Sequence, residues 1–460
     1  AGIKTCGAMD VRSGSDRVRG MQDTPPNPDP VAVTEARPSP VQRRGMLAAI
    51  LTQSCGVIAQ LSFKYGIILL YLRSLGIPAT RILVYVALPF LGYLLTVPVA
   101  YYADRWGKKR LATFGLAVST AGMALLALSG SLPQASREAT AVLGILVFSV
   151  AQVPFSASWY ALLSPVVPEH MRGRFFGRLR LSWQAVGVAF ASVCALLLSE
   201  ESPTSSYQWL LAALTVGQLL KLLNYTRIPE LEQPKEARRT LREALAAVLH
   251  VPHYLPFCSY VFLLMLFTAA APVVFALIGK EVLDFGDNTV VWLGNFAMLG
   301  AVCGYFVGGR AVDRHGTKPV FLICHFGYGV LMTLFAFRAI APGALFVWTA
   351  GISVGFGAIT AASSIAITTE VFALLPQENK SLAGAVASSV HIGGGALSSI
   401  LVAWILKLGL LRETWTLGDV TMTHYDSVLL GYAGMVMLLV VTLGQVPSVV
   451  RKHEWMPGTR

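Results

Sequence analysis

Long apolar runs alternate with short polar turns along the chain from about residue 45 onward. A helix that crosses the hydrocarbon core of a bilayer needs about 20 mostly apolar residues. Twelve runs reach that length, so the pattern predicts an all-α membrane protein with twelve transmembrane helices. These helices are expected near residues 46–72, 82–102, 110–130, 139–163, 179–198, 207–226, 254–278, 289–309, 319–338, 343–368, 381–407 and 427–447.

The segments outside these runs are polar. The N-terminal segment lacks the apolar core of a signal peptide and contains the proline-rich stretch Thr24–Pro40, so we expect a disordered cytosolic tail there. Between the halves, "RRTLREALAAVL" forms either an amphipathic surface helix or part of a plain connection. The expected organisation is a tail at 1–44, a six-helix bundle at 45–226, a linker at 227–253, a second six-helix bundle at 254–447 and a tail at 448–460.

Charge supports the membrane interpretation and gives an orientation. Charged residues make up 13% of the chain, against about 25% in soluble domains. If the N-terminus is cytosolic, 27 of the 36 Lys and Arg residues fall on the cytosolic side, among them Arg180. This bias predicts cytosolic termini in a plasma (inner) membrane protein, and it explains the net charge of +12 without a nucleic-acid partner.

Two landmarks recur at nearly one spacing. Asp104 and Arg105 are followed by Gly107, and the same pattern returns 209 positions later at Asp313. Pro168 and Pro376, each after the fourth run of its half, are 208 positions apart. Two landmarks with almost the same offset indicate a duplicated unit, and therefore two pseudo-symmetric six-helix bundles.

The stretch "ADRWGKKR" resembles the signature that lies between helices 2 and 3 in the major facilitator superfamily (MFS), and Gly309 to Lys318 resembles it again. Ala100 stands where the first glycine of the pattern is expected, whereas Gly309 fits. The resemblance implies a secondary transporter with a cytosolic gate, in which Asp104 would meet the start of helix 11 and Arg314 would pair with Glu370. The gate residues so implied are Asp104, Arg105, Gly107, Lys108, Gly309, Asp313, Arg314, Gly316 and Glu370.

Polar residues within the runs are candidates for a substrate cavity between the halves. Gln53, Gln60 and Lys64 share one face of the first helix. Lys64 either lines the cavity or extends to the outer interface, and the sequence leaves both alternatives open. His391 in the eleventh helix either lines the cavity, where it could carry a proton, or hydrogen-bonds between helices.

Further candidates have weaker support. Gln152, Trp159 and Asn295 lie within helices, where hydrogen bonding or packing between helices explains each of them as well as a ligand does. Lys221 and His325 lie near predicted cytosolic ends, so we expect them only to anchor their helices.

The substrate class follows from what the runs lack. No Asp or Glu lies deep within a run, which argues against export of cationic drugs and favours a small neutral or anionic organic solute. Proton coupling stays open, with His391 or Glu370 as the titrating group. Export of amphipathic compounds and a non-transporting receptor are the alternatives.

Chemistry of other kinds has no support in the sequence. The six cysteines form no CxxC pair or His/Cys cluster, so no metal or other cofactor is expected. No nucleophile–base pair or phosphate-binding loop is visible, so we do not expect an enzyme. The expected partners are a small-molecule substrate and the lipid bilayer, and the expected state is a monomer.

Overall fold

The computed structural model of the protein describes residues 38–168, 171–231, 241–340, 342–374, 380–418 and 420–442. These ranges form a helical bundle. The N-terminal half (residues 39–226) contains α1 (Pro40–Lys64), α2 (Ile67–Ser74), α3 (Ala79–Leu91), α4 (Thr96–Trp106), α5 (Lys108–Leu128), α6 (Gln134–Leu163), α7 (Arg172–Leu197) and α8 (Thr204–Thr226). The C-terminal half (residues 254–442) contains α10 (Tyr254–Leu266), α11 (Ala271–Glu281), α12 (Asp287–His315), α13 (Thr317–Ala336), α14 (Leu345–Leu374), α15 (Lys380–Lys407) and α16 (His424–Val441).

Eleven helical segments of the described chain are long and apolar enough to cross a bilayer. The sixth predicted helix is not among them. It corresponds to α8, which has 23 residues and packs against α1 and α5. Its polar residues Gln218, Lys221 and Asn224 are all buried, which explains how a less apolar helix is accommodated in the bundle.

Many large apolar side chains lie on the outside of the bundle. Leu196 is 75% exposed, Trp209 78% and Val347 71%. Exposed apolar surface of this extent would be unfavourable in water, whereas it matches the hydrocarbon of a bilayer. The surface therefore agrees with the predicted membrane location.

Three predicted helices are interrupted, and the second run separates into α3 and α4 through a 3₁₀ turn at Gly92–Leu95. The first run separates into α1 and α2 at Tyr65 and Gly66, where Gly66 has a φ of +96° that favours glycine. The first run of the C-terminal half separates into α10 and α11, and the freed backbone N–H of Ala270 donates to the Ser398 hydroxyl at 3.1 Å. The two halves therefore repeat this break as well as the Asp-Arg motif.

A single glycine makes the turn after each Asp-Arg motif. Gly107 lies between α4 and α5 with φ +93°, and Gly316 lies between α12 and α13 with φ +80°. Both values lie in the region that side chains disfavour, so glycine is what allows these tight turns. We refer to the end of the bundle that holds these turns as the motif end, and to the end that holds residues 199–206 and 282–286 as the opposite end.

Glycines also bring α12 and α14 into backbone contact. Gly300, Gly304 and Gly308 recur every four residues along one face of α12. A Cβ atom added at Gly308 would lie 2.6 Å from Ala362 Cα, and one added at Gly304 would overlap the carbonyl group of Ala358. Small residues at this spacing let two membrane helices approach closely.

The structure corrects three details of the predicted organisation. The first helix begins at Pro40, inside the predicted tail, because Ser39 and Gln42 form a capping box. The linker contains the helix α9 (Leu241–Leu249), which favours the first of the two alternatives for this segment. The fold is all-α as predicted, with one unpredicted detail: β1 (Thr414–Leu417) and β2 (Val420–Thr423) pair as a short antiparallel hairpin before α16.

Candidate functional site

Lys64 occupies the last turn of α1, directly before the break at Tyr65 and Gly66. Its ammonium nitrogen Nζ lies 5.2 Å from the centroid of the Tyr65 ring. The backbone of α12 touches this break, because a Cβ atom added at Gly294 would lie 2.7 Å from the Tyr65 carbonyl oxygen. The break therefore places Lys64 and Tyr65 between the two halves of the protein.

A second cation rests on a tyrosine nearby. The guanidinium carbon Cζ of Arg180 on α7 lies 5.5 Å from the ring centroid of Tyr305 on α12. Tyr305 of the C-terminal half thus offers its ring to a cation of the N-terminal half. Arg180, which the charge count assigned to the cytosolic side only by its position in the chain, is half-buried and contacts the other half of the protein.

His391 on α15 completes this group. The helix that carries it contacts the N-terminal half, since the Ser389 hydroxyl donates to the Tyr93 carbonyl oxygen at 2.9 Å. The ring nitrogen Nδ1 is buried and has no hydrogen-bond partner within the described residues. We call Lys64, Tyr65, Arg180, Tyr305 and His391 the cation–tyrosine cluster.

Carboxylates do not balance the charge of this cluster. Within the part of the chain that the structure describes, neither Lys64 nor Arg180 has a hydrogen bond or ion pair with an acidic side chain. Each cation instead faces an aromatic ring. The two cations therefore lack an acidic partner among the described residues, and a ligand with a hydrogen-bond acceptor could supply one.

Two small cavities lie on either side of Tyr65. One has a volume of about 20 Å³, and Pro272, Phe275 and Phe356 contribute to its wall. The other has a volume of about 10 Å³, and Leu61 contributes to its wall. Both walls are mainly apolar, with Ser62 in the smaller cavity and Ser353 in the larger one as polar exceptions.

Gln60 also lies at the contact between the halves. Its amide nitrogen donates to the Tyr93 hydroxyl at 3.0 Å. The carbonyl oxygen of Tyr93 in turn accepts a hydrogen bond of 2.9 Å from Ser389 on α15. Gln60 is therefore linked to α15, the helix that carries His391, through Tyr93.

Gln152 and Trp159 lie within the N-terminal half. Gln152 is buried, and its hydrogen-bond partners are Ser119, Gln218 and Lys221, all from this half. Trp159 packs on Phe155 with a ring separation of 5.1 Å. These contacts are hydrogen bonding and packing between helices, which the sequence left open as the alternative to ligand binding.

Lys221 does not anchor its helix at a surface, as expected, but is buried. Only 1% of the residue is exposed, its Nζ donates to Gln152 Oε1 at 2.9 Å, and it lies 3.9 Å from the Phe155 ring centroid. The sequence prediction failed because a lysine near a helix end looks the same whether its face meets lipid or other helices.

His325 is also part of the core. It is fully buried in the C-terminal half, where its two ring nitrogens pair with the Tyr260 hydroxyl at 2.7 Å and the Ser363 hydroxyl at 2.9 Å. Because both nitrogens have partners, His325 joins three helices, and the expectation that it anchors at a membrane surface was wrong.

Asn295 and Gln53 differ in their surroundings. Asn295 is buried on α12 and donates to the Ser192 hydroxyl of the N-terminal half at 2.7 Å, while its carbonyl oxygen has no partner among the described residues. Gln53 is half-buried on α1. Asn295 therefore contributes to the contact between the halves.

At the opposite end, Asp287 joins the two halves. Its carboxylate accepts from the Tyr207 hydroxyl at 2.6 Å and from the Ser202 N–H at 3.1 Å, both in the N-terminal half. It also pairs with Lys280 at 2.8 Å. Because one carboxylate holds groups from both halves, Asp287 closes this end of the interior.

A second ionic contact joins the halves at the same end. Arg73 at the end of α2 pairs with Glu281 at the end of α11. The Tyr425 hydroxyl donates to the other oxygen of Glu281 at 2.6 Å. These pairs could not be predicted, since their members are more than 140 positions apart in the chain.

At the motif end, Gly107 and Gly316 form the turns described above, Lys108 begins α5 and Gly309 lies within α12. Asp313 and Arg314 are exposed. Glu370 is buried and accepts from the Thr317 hydroxyl at 2.8 Å. The side chains of Asp104 and Arg105, and with them the expected contact with helix 11, lie outside the described structure.

The sequence profile described as Major Facilitator Superfamily matches residues 50–398, about three quarters of the chain. This chain belongs to the Major Facilitator Superfamily. Membership confirms the family predicted from the two Asp-Arg motifs. It also indicates a membrane transporter and not an enzyme.

Solved MFS structures share the fold of this MFS protein at low sequence identity. A D-xylose-proton symporter superposes with a TM-score of 0.69 at 14% identity, covering 89% of this chain and 99% of the other. A POT family transporter in complex with 5-aminolevulinic acid gives 0.69 at 12% identity, covering 89% and 97%. The nucleoside transporter NupG gives 0.59 at 12% identity, covering 88% and 98%. No curated protein sequence matches the chain significantly.

Proposed function

We propose that this protein is a secondary transporter that moves a small neutral or anionic organic solute across the membrane by alternating access. The observation that carries the proposal is the cation–tyrosine cluster. It takes Lys64 and Arg180 from one half and Tyr305 and His391 from the other, so a solute bound there would contact both halves.

Alternating access requires that one end of the interior opens while the other is closed. At the opposite end, the contacts of Asp287 and Glu281 between the halves consist of hydrogen bonds and ion pairs. Such contacts can break and re-form without disturbing the apolar core. They support a closed state at this end that exchanges with an open one.

We propose that Asp104 and its repeat Asp313 form contacts that close and open the motif end, together with Arg105, Arg314 and the buried Glu370. An acid at this position can dock at a helix N-terminus, where free N–H groups favour negative charge. Asp104→Asn should then change which end of the interior is accessible to a cysteine reagent at unchanged expression. Identical labelling of both proteins would contradict this role.

The charge distribution supports an orientation. Lys and Arg concentrate at the motif end and in the terminal segments, which favours a plasma (inner) membrane location with the motif end and both chain termini in the cytosol.

The cation–tyrosine cluster is built from one chain, so we infer that a monomer is sufficient for transport.

The structural neighbours support transport without selecting a solute. Their titles name a D-xylose-proton symporter, a nucleoside transporter and a POT family transporter with 5-aminolevulinic acid. One fold that serves such different solutes leaves the choice of substrate to the interior side chains. For this chain, those side chains are cationic and aromatic.

Uptake into proteoliposomes tests the proposal. The purified protein should accumulate at least one labelled solute from a panel of sugars, nucleosides, amino acids and carboxylates, and Lys64→Gln should reduce the rate at least tenfold. Lys407→Gln is the matched control, because Lys407 is exposed at the end of α15. A panel that enters no faster than into empty liposomes would contradict transport.

A further inference from the structure

We propose that Arg310 on the outer surface of α12 binds the phosphate group of an anionic phospholipid in the leaflet at the motif end. The proposed transport does not use this residue, because Arg310 is exposed on the outside of the bundle and does not lie in the interior between the halves. Such a lipid site would exist whether or not the protein moves a solute.

A strip of exposed side chains leads along α12 to Arg310. Phe306 is 65% exposed and Val307 62%, and Cys303 is exposed on the turn before them. The glycines that contact α14 lie on another face of the same helix. In a bilayer this apolar strip contacts acyl chains, and Arg310 ends it with a charge.

The length of α12 places Arg310 at the edge of the hydrocarbon. Its 29 residues from Asp287 to His315 form a helix about 43 Å long, whereas the hydrocarbon core of a bilayer is about 30 Å thick. If both ends share the excess, roughly four or five residues at each end lie outside the hydrocarbon. Arg310 is the sixth residue from the end of the helix, so its backbone lies just inside.

The side chain of Arg310 is turned toward the bilayer centre. Its guanidinium carbon Cζ lies 3.6 Å from the ring centroid of Phe306, one turn deeper, and an N–H donates to the Phe306 carbonyl oxygen at 3.4 Å. Side chains on a helix point toward its N-terminus, which for α12 is at the opposite end. The guanidinium group is therefore directed away from the headgroups, unlike that of an arginine that extends to the interface.

Most of the guanidinium donors of Arg310 have no acceptor within the described chain. A guanidinium group has five N–H donors, and stacking on an aromatic ring leaves its edge accessible. The hydrogen bond to Phe306 uses one donor, and the exposed carboxylate of Asp313 does not pair with Arg310. Unmatched charged donors are costly at the edge of hydrocarbon, so a ligand that brings acceptors would stabilise them.

A lipid phosphate meets these requirements. Its oxygens can accept two parallel N–H bonds from the edge of the guanidinium group, while the acyl chains of the same molecule lie along Phe306 and Val307. In the proposed orientation this leaflet faces the cytosol, where anionic lipids are concentrated. Arg314 is exposed one turn further on and adds positive charge on the same side, which favours an anionic headgroup over a zwitterionic one.

Binding of lipid to the purified full-length protein in detergent tests the proposal. Native mass spectrometry should show that the first molecule of dioleoyl phosphatidylglycerol binds at least tenfold more tightly than the first molecule of dioleoyl phosphatidylcholine. Inorganic phosphate at equal concentration should not displace phosphatidylglycerol, because it lacks acyl chains. Equal affinity for the two lipids, or displacement by inorganic phosphate, would overturn the proposal.

Variants locate the site. Arg310→Gln should weaken binding of the first phosphatidylglycerol roughly tenfold, as expected for lost hydrogen bonds between charged groups, and should leave phosphatidylcholine binding unchanged. Arg412→Gln is the matched control, since it removes the same charge from the exposed segment after α15. Unchanged phosphatidylglycerol affinity in Arg310→Gln, or an equal loss in Arg412→Gln, would overturn the assignment.

Thermal unfolding in detergent without added lipid checks that these variants fold. The contacts of Arg310 with Phe306 lie within one helix, so Arg310→Gln should unfold at the same temperature as the unmodified protein. If it does not fold, Arg310→Lys serves in its place. A lysine keeps the charge without the paired donors, and it should weaken phosphatidylglycerol binding by about threefold or more. Unchanged affinity in Arg310→Lys would then overturn the assignment.

A second copy of this chain is the other partner that could cover the strip. The purified protein would then be a dimer, and Arg310→Gln would dissociate it, whereas the lipid site predicts a monomer in both cases. Size-exclusion chromatography with light scattering measures the mass. A dimer that is lost in Arg310→Gln would overturn the lipid site.

Discussion

Lys221 shows how a single charge can order its neighbours. An ammonium group can only donate, so Gln152 must present its oxygen to Lys221 and its amide nitrogen to Gln218. Gln218 then presents its oxygen to Gln152, and its own amide nitrogen has no acceptor within the described residues. The charge of Lys221 thus fixes the orientation of two buried amides at the cost of one unmatched donor.

Lys221→Met is expected to leave the free energy of unfolding unchanged or to raise it by about 1–3 kcal/mol. Methionine has a similar length, and its side chain does not carry an uncompensated charge out of water. Lys221→Ala should instead lower it by about 2–4 kcal/mol, because it leaves a cavity. Thermal unfolding in detergent measures both, and a Lys221→Met protein less stable than Lys221→Ala would show that the charge is needed.

Gly56→Ala probes the same packing from α1. A Cβ atom added at Gly56 would overlap the Lys221 side chain and lie 2.9 Å from its Cε atom. We expect Gly56→Ala to lower the free energy of unfolding by about 1–3 kcal/mol in the unmodified protein and by less in a Lys221→Ala background. A double-mutant cycle on unfolding measures the difference, and equal losses in the two backgrounds would contradict the contact.

Helix positions and residue roles differ in how far the sequence can predict them. The twelve apolar runs predicted where the helices lie, because each crossing of the bilayer needs about 20 apolar residues. The break between α10 and α11 was not predicted, although Pro272 at the start of α11 is a sequence signal for it. Only the structure shows that the Ser398 hydroxyl of a distant helix accepts from the freed N–H of Ala270. The hairpin before α16 was missed although its sequence carries a signal, since two short runs rich in threonine and large apolar residues flank a Gly-Asp pair.

Within the α12–α14 pair, Gly304→Ala is expected to lower the free energy of unfolding by about 3 kcal/mol. The added methyl group would overlap the Ala358 carbonyl, so two helix backbones would have to separate. Gly351→Ala on α14 is the matched control, since a Cβ atom there meets nothing within 4 Å. The control should be neutral or slightly stabilising, and similar values for the two variants would disprove the close contact.

For the whole molecule, Asp287→Asn should favour a state that is open at the opposite end. Losing hydrogen bonds to a charged group shifts the equilibrium by about 2 kcal/mol, or roughly 30-fold. Labelling of an Ala276→Cys variant, free of native cysteines, by an impermeant maleimide added from that side would measure the opening. Ala276 is buried beside the larger cavity, so it reports on access to the interior.

The control for this experiment is Glu138→Gln. Glu138 pairs with Arg81 at 2.6 Å, but both residues belong to the N-terminal half. Removing this pair should leave labelling at Ala276→Cys unchanged. Faster labelling in Glu138→Gln, or none in Asp287→Asn, would show that the contacts of Asp287 do not hold the end closed.

The candidate site combines predicted and unpredicted residues. Lys64 and His391 were selected from helix periodicity, and the structure places both on segments that contact the other half of the protein. Arg180 and Tyr305 were not selected, because periodicity shows which residues share a helix face but not which helix packs against that face. Gln152 was selected with them, although its partners in the structure all lie within one half.

The buried polar face of α8 has a consequence for how the protein is made. Lys221, near the end of α8, opposes insertion by less than the ~3 kcal/mol of a lysine at a helix centre, and Gln218 and Asn224 add to that cost. Its partners α1, α5 and α6 all precede α8 in the chain, so a nascent chain has already delivered them to the bilayer when α8 leaves the ribosome. Biogenesis of the N-terminal half would therefore depend on the order of synthesis, with the last helix entering against a surface that its predecessors have prepared.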